Sequence, residues 1–304
     1  MSLPEHPFEH RLVTLASDAL HLAVAPDIGG SIVRLRYGAA QVLRPMSKEA
    51  LSAGQVREAA SYPLVPFSNR IAQARFSVDG KPYVLRRNFG DHPHAIHGCG
   101  WQSPWRIVER DHASLRLALD HRPLGAGDWP FPFAAEQRFA LAGTTLTLAL
   151  SITNRADCRM PTGLGWHPFF PADPGTTLRA RAGHVWLNGQ DHLPSERVAV
   201  PEAWDCTNPR AVSSMEVDNC FADWDGQAEI TSPTGGWRAR MRGGAGLTHL
   251  VVYVPKGKGF FAVEPVSHMN DAINRMDGTV AHGLKMLEPD ETFRVETTIT
   301  LEPL

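Results

Sequence analysis

Residues 76–85 read FSVDGKPYVL, and this stretch decides the fold class because it places two β-prone runs on either side of a tight turn. Asp79-Gly80 lies between the runs. This dipeptide is preferred in two-residue hairpin turns, where both central residues adopt positive φ. The stretch therefore predicts an antiparallel β-hairpin.

Further strand signals recur along the chain. Residues 145–152 (TLTLALSI) and 293–301 (FRVETTITL) show alternation typical of strands, and residues 228–241 (AEITSPTGGWRARM) predict a second hairpin with a Pro/Gly turn. Residues 249–254 (HLVVYV) form a continuous apolar run, which suits a strand buried on both faces. Short strands separated by turn residues favour an all-β sandwich or barrel.

Helical periodicity is weak, and the best helix candidate is residues 46–60 (MSKEALSAGQVREAA). Residues 170–215 are the longest loop-like region, rich in Pro, Gly, Asp and Asn, and we interpret them as a lid or a decoration around a site. The chain shows neither a linker nor a repeat of solenoid or propeller period. A single domain over residues 1–304 is therefore predicted.

Composition and charge exclude several classes of partner. Hydrophobic residues make up 43% and charged residues 20% of the 304 residues, as expected for a globular protein with a sizeable core. The formal net charge is −2 and the longest basic run is Arg86-Arg87, so no nucleic-acid partner is predicted. Because no run of about 18 apolar residues occurs, no membrane-spanning helix is expected.

The N-terminal residues and the cysteines predict a cytoplasmic protein. Residues 1–13 (MSLPEHPFEHRLV) are acidic early and have no apolar region, unlike a secretory signal. Cys99, Cys158, Cys206 and Cys220 are scattered, without a C-x-x-C pair. This spacing favours reduced thiols over a disulfide framework or a structural zinc site.

Five segments place polar or charged side chains beside aromatic and turn residues. They are PLVPFSNRI (63–71), HAIHGCGW (94–101), GLGWHPFF (163–170), VDNCFADW (217–224) and FFAVEPVSHMNDAIN (260–274). Each segment contains one candidate functional residue. In the same order, the candidates are Arg70, His97, His167, Asp218 and Glu264.

Each candidate also has an ordinary structural interpretation. Burial after an apolar run would raise the pKa of Glu264, which suits a general base, but the carboxylate could equally pair with an arginine or with backbone amides. His167, among aromatic residues, could be a core histidine with satisfied hydrogen bonds. His97 could lie in a surface turn, Arg70 could close an ion pair, and Asp218 could be a turn residue.

Three histidines, His92, His94 and His97, form a candidate zinc site. His92 and His94 have H-x-H spacing, which on a strand places two rings on one face, and His97 follows closely. Pro93 interrupts the first pair, and no acidic or thiolate ligand lies at a typical spacing. We therefore predict no metal site.

Taken together and in order, these segments resemble the aldose 1-epimerase family, the galactose mutarotases and their relatives. WPFPF (129–133) and a tail, GLKMLEPDE (283–291), extend the resemblance over nearly the whole chain. The resemblance implies a large antiparallel β-sandwich with a sugar in a groove on one face. It also implies interconversion of the α and β anomers of an aldose without a metal or another cofactor.

The resemblance assigns a role to each candidate. The family's acid histidine corresponds to His167 in GWHPFF, and its base glutamate corresponds to Glu264 in VEPVSHMNDAIN. Its sugar-binding residues correspond to His97 in IHG, Arg70 in SNRI and Asp218 in VDNCF. The expected mechanism places the acid and the base on opposite sides of the anomeric carbon, so that the ring opens, rotates about C1–C2 and closes.

Two departures leave the sugar open. GWHPFF stands where many galactose-specific members have an N-H-x-Y-F-type sequence, and EPV stands where they tend to have E-T-Q. A hexose-phosphate mutarotase, a glycosidase with an Asp218–Glu264 pair, and a non-catalytic sugar-binding module are the alternatives. Trp101, Trp166 or a Phe of residues 129–133 is the expected stacking surface. The expected partner is a small sugar, and a homodimer is left open.

Overall fold

The computed structural model describes residues 12–276, 278 and 281–304. Strands dominate these residues, and the longest helix among them, α1 at Lys48–Ser52, has five residues. None of the described helices therefore has the length and apolarity needed to cross a membrane. The expectation that the N-terminus contains no secretory signal falls mostly on residues 1–11, which lie outside the described residues.

The strands are numbered in chain order. Strands β1 to β13 are Val13–Ala16, Leu20–Ala25, Ser31–Tyr37, Ala40–Gln41, Pro63–Leu64, Arg70–Ile71, Arg75–Val78, Lys81–Val84, Ala95–Ile96, Arg106–Arg110, Ser114–His121, Phe133–Ala142 and Thr145–Asn154. Strands β14 to β27 are Met160–Thr162, Gly165–Trp166, Phe169–Pro171, Thr177–Ala180, His184–Asn188, Pro194–Ala199, Arg210–Ala211, Val217–Ala222, Gln227–Ser232, Trp237–Gly243, His249–Val254, Phe260–Val266, Lys285–Leu287 and Thr292–Pro303. Short 3-10 helices cover Val56–Glu58, Ala72–Ala74, Gly100–Gln102, Glu202–Trp204, Val212–Ser214 and Ala272–Asn274.

Two large antiparallel sheets form the framework. One has nine strands in the order β10-β11-β12-β13-β27-β23-β22-β17-β20. The other has eight strands, in the order β19-β18-β21-β24-β25-β15-β5 with β16 also paired to β25. A four-stranded sheet (β1-β2-β3-β4) and the pairs β14-β26, β6-β9 and β7-β8 accompany them. The predicted all-β, antiparallel sandwich is confirmed.

Both large sheets contribute to one continuous cluster of buried apolar side chains. In β12 every second residue is buried, so that Phe133 and Phe139 face the core while Glu136 and Arg138 face solvent. Burying a side chain of this size contributes about 1.5–3 kcal/mol of hydrophobic free energy. By contrast, β24 is buried on both faces, as its continuous apolar sequence predicts.

The two predicted hairpins are present. Strands β7 and β8 pair from Arg75 to Val84, and their turn has positive φ at both Asp79 (49°) and Gly80 (78°). Strands β22 and β23 pair from Gln227 to Arg242. Local turn chemistry therefore placed both hairpins correctly.

Two other predictions were wrong. The helix predicted over residues 46–60 is reduced to α1 and one 3-10 turn, because Gly54 adopts φ of 64° between them and interrupts the helical backbone. Residues 170–215 are not a loop, since they contain β17 to β20. The Pro and Gly residues of this region separate short strands at the edges of the two large sheets, where long alternation is absent.

Candidate active site

A pocket with a cavity volume of about 260 Å³ brings all five candidate residues together. This volume lies just below the usual range of small-molecule sites, which begins at about 300 Å³. It suits one small ring better than a long oligomer. The candidate residues that line the pocket are Arg70, His97, His167, Asp218 and Glu264.

Strand pairing explains why such distant residues meet. Glu264 lies in β25, at the centre of the eight-stranded sheet, and pairs with Val251 of β24. His167 lies between β15 and β16, and both of these strands also pair with β25. Asp218 lies in β21, on the other side of β24, opposite Tyr253. The non-local pairing of one sheet therefore places all three side chains at the pocket.

His167 and Glu264 are in direct contact, with 3.2 Å between Nε2 and Oε1. Their side chains are only 9% and 2% exposed. The second carboxyl oxygen of Glu264, Oε2, is buried without a hydrogen-bond partner in the described part of the chain. The expected arrangement, with acid and base on opposite sides of a sugar, is therefore wrong, because the two groups lie side by side.

Burial shifts both groups of this pair toward their neutral forms. It raises the pKa of Glu264 well above its usual value; the Asp218 charge raises it further and Arg70 opposes the shift. Burial also lowers the pKa of His167, a backbone hydrogen bond opposes this shift, and the Arg44 charge adds to it. Both shifts favour the state in which the pair carries a single proton, with the carboxyl group protonated and the imidazole neutral.

Arg70 is fixed from two sides at the edge of the pocket. Its NH2 group lies 3.4 Å from Oδ2 of Asp218, and its NH1 group donates to Oδ1 of Asn69 at 3.2 Å. Asp218 lies within a strand, so the turn interpretation of this residue is wrong. The ion-pair interpretation of Arg70 is correct, and the pair itself lines the pocket.

His97 is held in a conformation that aims one ring nitrogen at the backbone. It is 4% exposed, which contradicts the surface-turn interpretation, and it adopts φ of 61°. Its Nδ1 accepts a hydrogen bond from the Asn69 amide at 3.1 Å. Burial, followed by the charges of His167 and Arg70, lowers the pKa of His97 well below its usual value. The neutral ring therefore carries its proton on Nε2, which makes it a hydrogen-bond donor.

Asn88 fixes the turn that contains His97, a role that no motif around Asn88 indicates. Its side-chain amide donates to the carbonyls of Ile96 (2.8 Å) and Gly98 (3.1 Å), and its Oδ1 accepts from the Ile96 amide. Gly98 has φ of 72°, and a Cβ atom there would lie 2.2 Å from the Val65 carbonyl oxygen. Only glycine fits this close approach.

The histidine cluster uses its ring nitrogens for structure. His94 accepts from the Gln73 amide through Nδ1 (2.9 Å), and its Nε2 lies 2.9 Å from the Asp191 carbonyl oxygen. His92 and His94 lie in a loop, so they are not two rings on one face of a strand. Within the described residues, no group of three His, Cys, Asp or Glu side chains is arranged to hold a metal ion.

The aromatic walls of the pocket differ from those expected. Trp101 and Trp166 are at most 2% exposed and do not line the pocket. The Phe residues of 129–133 are also buried elsewhere in the core. The aromatic residues that do line it are Tyr62, Phe89, Phe169, Tyr253 and Phe260.

Two of these aromatic rings enclose His167. The rings of His167 and Phe169 are stacked, with 4.4 Å between centroids and 27° between planes, and Tyr62 lies 4.8 Å from His167 on a tilted plane. This packing restricts the imidazole to one orientation toward Glu264. Tyr62 directly precedes the segment PLVPFSNRI, so a wider segment would have included it.

Comparisons with known proteins show the family of the chain. The chain matches the aldose 1-epimerase family over residues 11–300. It is 33% identical over 299 residues to the uncharacterized protein YphB of Escherichia coli K12, with 96% of this chain and 99% of that protein covered. It is 26% identical over 225 residues to the uncharacterized protein YihR of the same organism, with 72% of this chain and 71% of that protein covered.

Solved structures show the same fold. A protein of E. coli K12 assigned as a candidate aldose 1-epimerase superposes with a TM-score of 0.88 at 33% identity, with 96% of this chain and 99% of that chain covered. A galactose mutarotase-like protein of Clostridium acetobutylicum has a TM-score of 0.85 at 20% identity, with coverage of 96% and 95%.

Proposed function

Because the chain belongs to the aldose 1-epimerase family, we propose that it is a mutarotase that interconverts the α and β anomers of a hexose. The observation that carries this proposal is the buried His167–Glu264 contact of 3.2 Å in a small pocket. The reaction needs one proton removed from the C1 hydroxyl and one delivered to the ring oxygen. Both oxygens are bonded to C1, so an acid and a base that lie side by side can reach both.

Ring opening moves one proton at each end of the O1–C1–O5 unit. Glu264 removes the proton from O1, and a lone pair of O1 forms the C1=O bond as the C1–O5 bond breaks. The Nε2–H of protonated His167 is delivered to O5. After rotation about C1–C2, closure from the other face returns both protons. Each positioned proton transfer contributes about 10²–10⁴ in rate.

The two positions of the shared proton match two states of the sugar. Ionised Glu264 beside protonated His167 is the form that opens the ring. Protonated Glu264 beside neutral His167 is the form left when the ring is open, and it is also the form that burial favours. Proton transfer across the 3.2 Å contact interconverts the two forms without exchange with solvent.

The remaining candidates bind and orient the sugar in this proposal. Arg70 and the Nε2–H of His97 donate to oxygens near C1 and stabilise negative charge that develops there. Asp218 accepts from more distant hydroxyls and limits the orientations of the ring. Phe169 and Tyr253 offer apolar surface to the pyranose.

Each of the two candidate carboxylates already has another partner, which disfavours a glycosidase pair. Asp218 is in contact with Arg70, and Glu264 is in contact with a histidine instead of facing a second carboxyl across a bond to be cleaved. A non-catalytic sugar-binding module has no need of a buried pair that shares a proton. Both alternatives are therefore less well supported than mutarotation.

A hexose-phosphate mutarotase is the second candidate, and the exposed Arg57 at the pocket mouth favours it. Its guanidinium carbon lies 3.8 Å from the centroid of the Phe89 ring. A phosphate on the far end of the sugar could reach this cation. Arg57→Gln should then weaken turnover of phosphorylated aldoses and leave that of free aldoses unchanged.

The test is NMR exchange or polarimetry across a panel of free and phosphorylated aldoses. Because uncatalysed mutarotation is already fairly quick, the matched blank is an equal concentration of the Glu264→Gln variant. We expect anomer exchange well above that blank for at least one sugar. If no sugar exchanges faster than with the blank while several bind, the protein is a binding module.

The exchange rate is expected to be highest around neutral pH and to fall on both sides. At low pH the pair takes up a second proton and the rate falls. Because burial lowers the pKa of His167, this fall in rate occurs well below the usual pKa of 6.5. At high pH the pair loses its proton and the rate falls again. Because burial raises the pKa of Glu264, this second fall occurs well above the usual pKa of 4.5. Both the acidic and the alkaline fall in rate report the titration of the His167–Glu264 pair and not of either residue alone. A profile of kcat/KM that rises with pH without an alkaline loss would mean that ionised Glu264 acts alone.

A further inference from the structure

Arg44 and His167 both pack against the ring of Phe169. The guanidinium carbon of Arg44 lies 4.4 Å from the Phe169 centroid and also 4.4 Å from the centroid of Phe260, and these two rings meet edge to face at 5.5 Å. The Phe169 ring is in turn stacked 4.4 Å from His167. The guanidinium of Arg44 therefore lies within about 9 Å of the imidazole, and both side chains line the same pocket.

Backbone contacts hold this cation in place. The NH2 group of Arg44 donates to the carbonyls of Ala59 (3.1 Å) and Arg57 (3.3 Å), and its amide donates to the Phe169 carbonyl at 2.8 Å. Its carboxylate partner, Glu58, is 3.7 Å away and 54% exposed. Because an exposed and distant carboxylate neutralises the Arg44 guanidinium poorly, and the Arg44 side chain is only 17% exposed, its positive charge acts on the groups packed around it.

We propose that Arg44 is a positioning residue that acts through Phe169 on His167. Its fixed positive charge keeps a second proton off the His167–Glu264 pair and so extends the one-proton state of the pair to lower pH. The role in turnover depends on the mutarotase proposal, but the electrostatic effect on His167 does not. Burial lowers the pKa of Arg44, yet a guanidinium stays protonated in proteins.

The size of the effect follows from the stacking distances. Two contacts of 4.4 Å to the same ring place the guanidinium at most about 9 Å from the imidazole, and at an effective dielectric constant of about 20 the repulsion corresponds to about one pH unit. Other charged or titratable groups also surround His167 and stay in place when Arg44 is replaced. Glu264 contacts Nε2 of His167, and the rings of His97 and Tyr62 pack against the imidazole. Arg70 and Asp218 line the same pocket.

The test is an NMR titration of the His167 imidazole in the full chain, with its signal identified by its loss in His167→Gln. In Arg44→Gln we expect the midpoint to rise by about one pH unit. Arg44→Lys retains the charge and should return the midpoint to within a few tenths of a unit of the original value. Arg57→Gln is the matched control, since that arginine lies on Phe89 and not on Phe169, and it should leave the midpoint unchanged.

An unchanged midpoint in a folded Arg44→Gln variant overturns the proposal, and so does a rise that Arg44→Lys does not reverse. If Arg44→Gln does not fold, Arg44→Met decides, because its side chain can keep the apolar contact with Phe169 and Phe260 without the charge, and the midpoint must again rise. A midpoint that stays or falls there overturns the proposal as well. The titration needs no turnover, so it decides the role of Arg44 even if no sugar is found to exchange. The acid limb of the exchange rate should move with the midpoint.

Discussion

Glu264→Gln is expected to lower kcat for anomer exchange by about 10²–10⁴-fold while sugar affinity stays within a few-fold. The amide has the shape of the carboxyl group but cannot take up the proton of O1. Glu264 is 1% exposed and burial already favours its neutral form, so a neutral isostere should cost little stability. NMR exchange spectroscopy gives the rate, and calorimetric titration with the same sugar gives the affinity.

The matched control is Glu58→Gln at the mouth of the same pocket. Its side chain is 54% exposed, and its ion pair with Arg44 has a distance of 3.7 Å. We expect close to unchanged turnover near neutral pH, since this carboxylate does not contact the His167–Glu264 pair. If sugar binding disappears together with activity in Glu264→Gln, the residue serves binding or folding, and the acid–base assignment fails.

The hairpins could be predicted because their signal is local. Asp79 and Gly80 determine their turn through their own φ preferences, whatever the rest of the chain does. The strands inside residues 170–215 could not be predicted in this way. Strand β17, at Thr177–Ala180, pairs with β22 about fifty positions later, and its four residues are too few to show a period. Their strand conformation depends on pairing with a distant segment.

The site residues could be predicted as a set, but their contacts could not. His167 and Glu264 are almost a hundred positions apart, and nothing in either segment indicates that the two side chains touch. Arg44, in the sequence VLRPM, looks like an ordinary surface arginine until the stack with Phe169 is known. Asn88 has an equally plain sequence context. Contacts of this kind arise from tertiary packing, which short sequence patterns do not encode.

The second large effect on kcat is expected for His167→Gln, alone and in combination with Glu264→Gln. His167→Gln should reduce kcat by about 10²–10⁴-fold, because the ring oxygen loses its proton donor. The loss should also disable Glu264. Without the imidazole, a buried carboxyl has no partner for its proton, so it stays protonated at neutral pH and cannot act as a base.

The double variant His167→Gln/Glu264→Gln should therefore be only slightly slower than either single variant, since groups that act as a unit show strongly non-additive losses. NMR exchange measurements on all four proteins at one pH complete the cycle, with thermal unfolding as the check that each is folded. If the loss of kcat in the double variant instead equals the product of the two single-variant losses, the two groups work independently. In that case the 3.2 Å contact would not be the route of the proton. Residual activity of His167→Gln that rises with pH would support the unit, because high pH ionises the isolated carboxyl group.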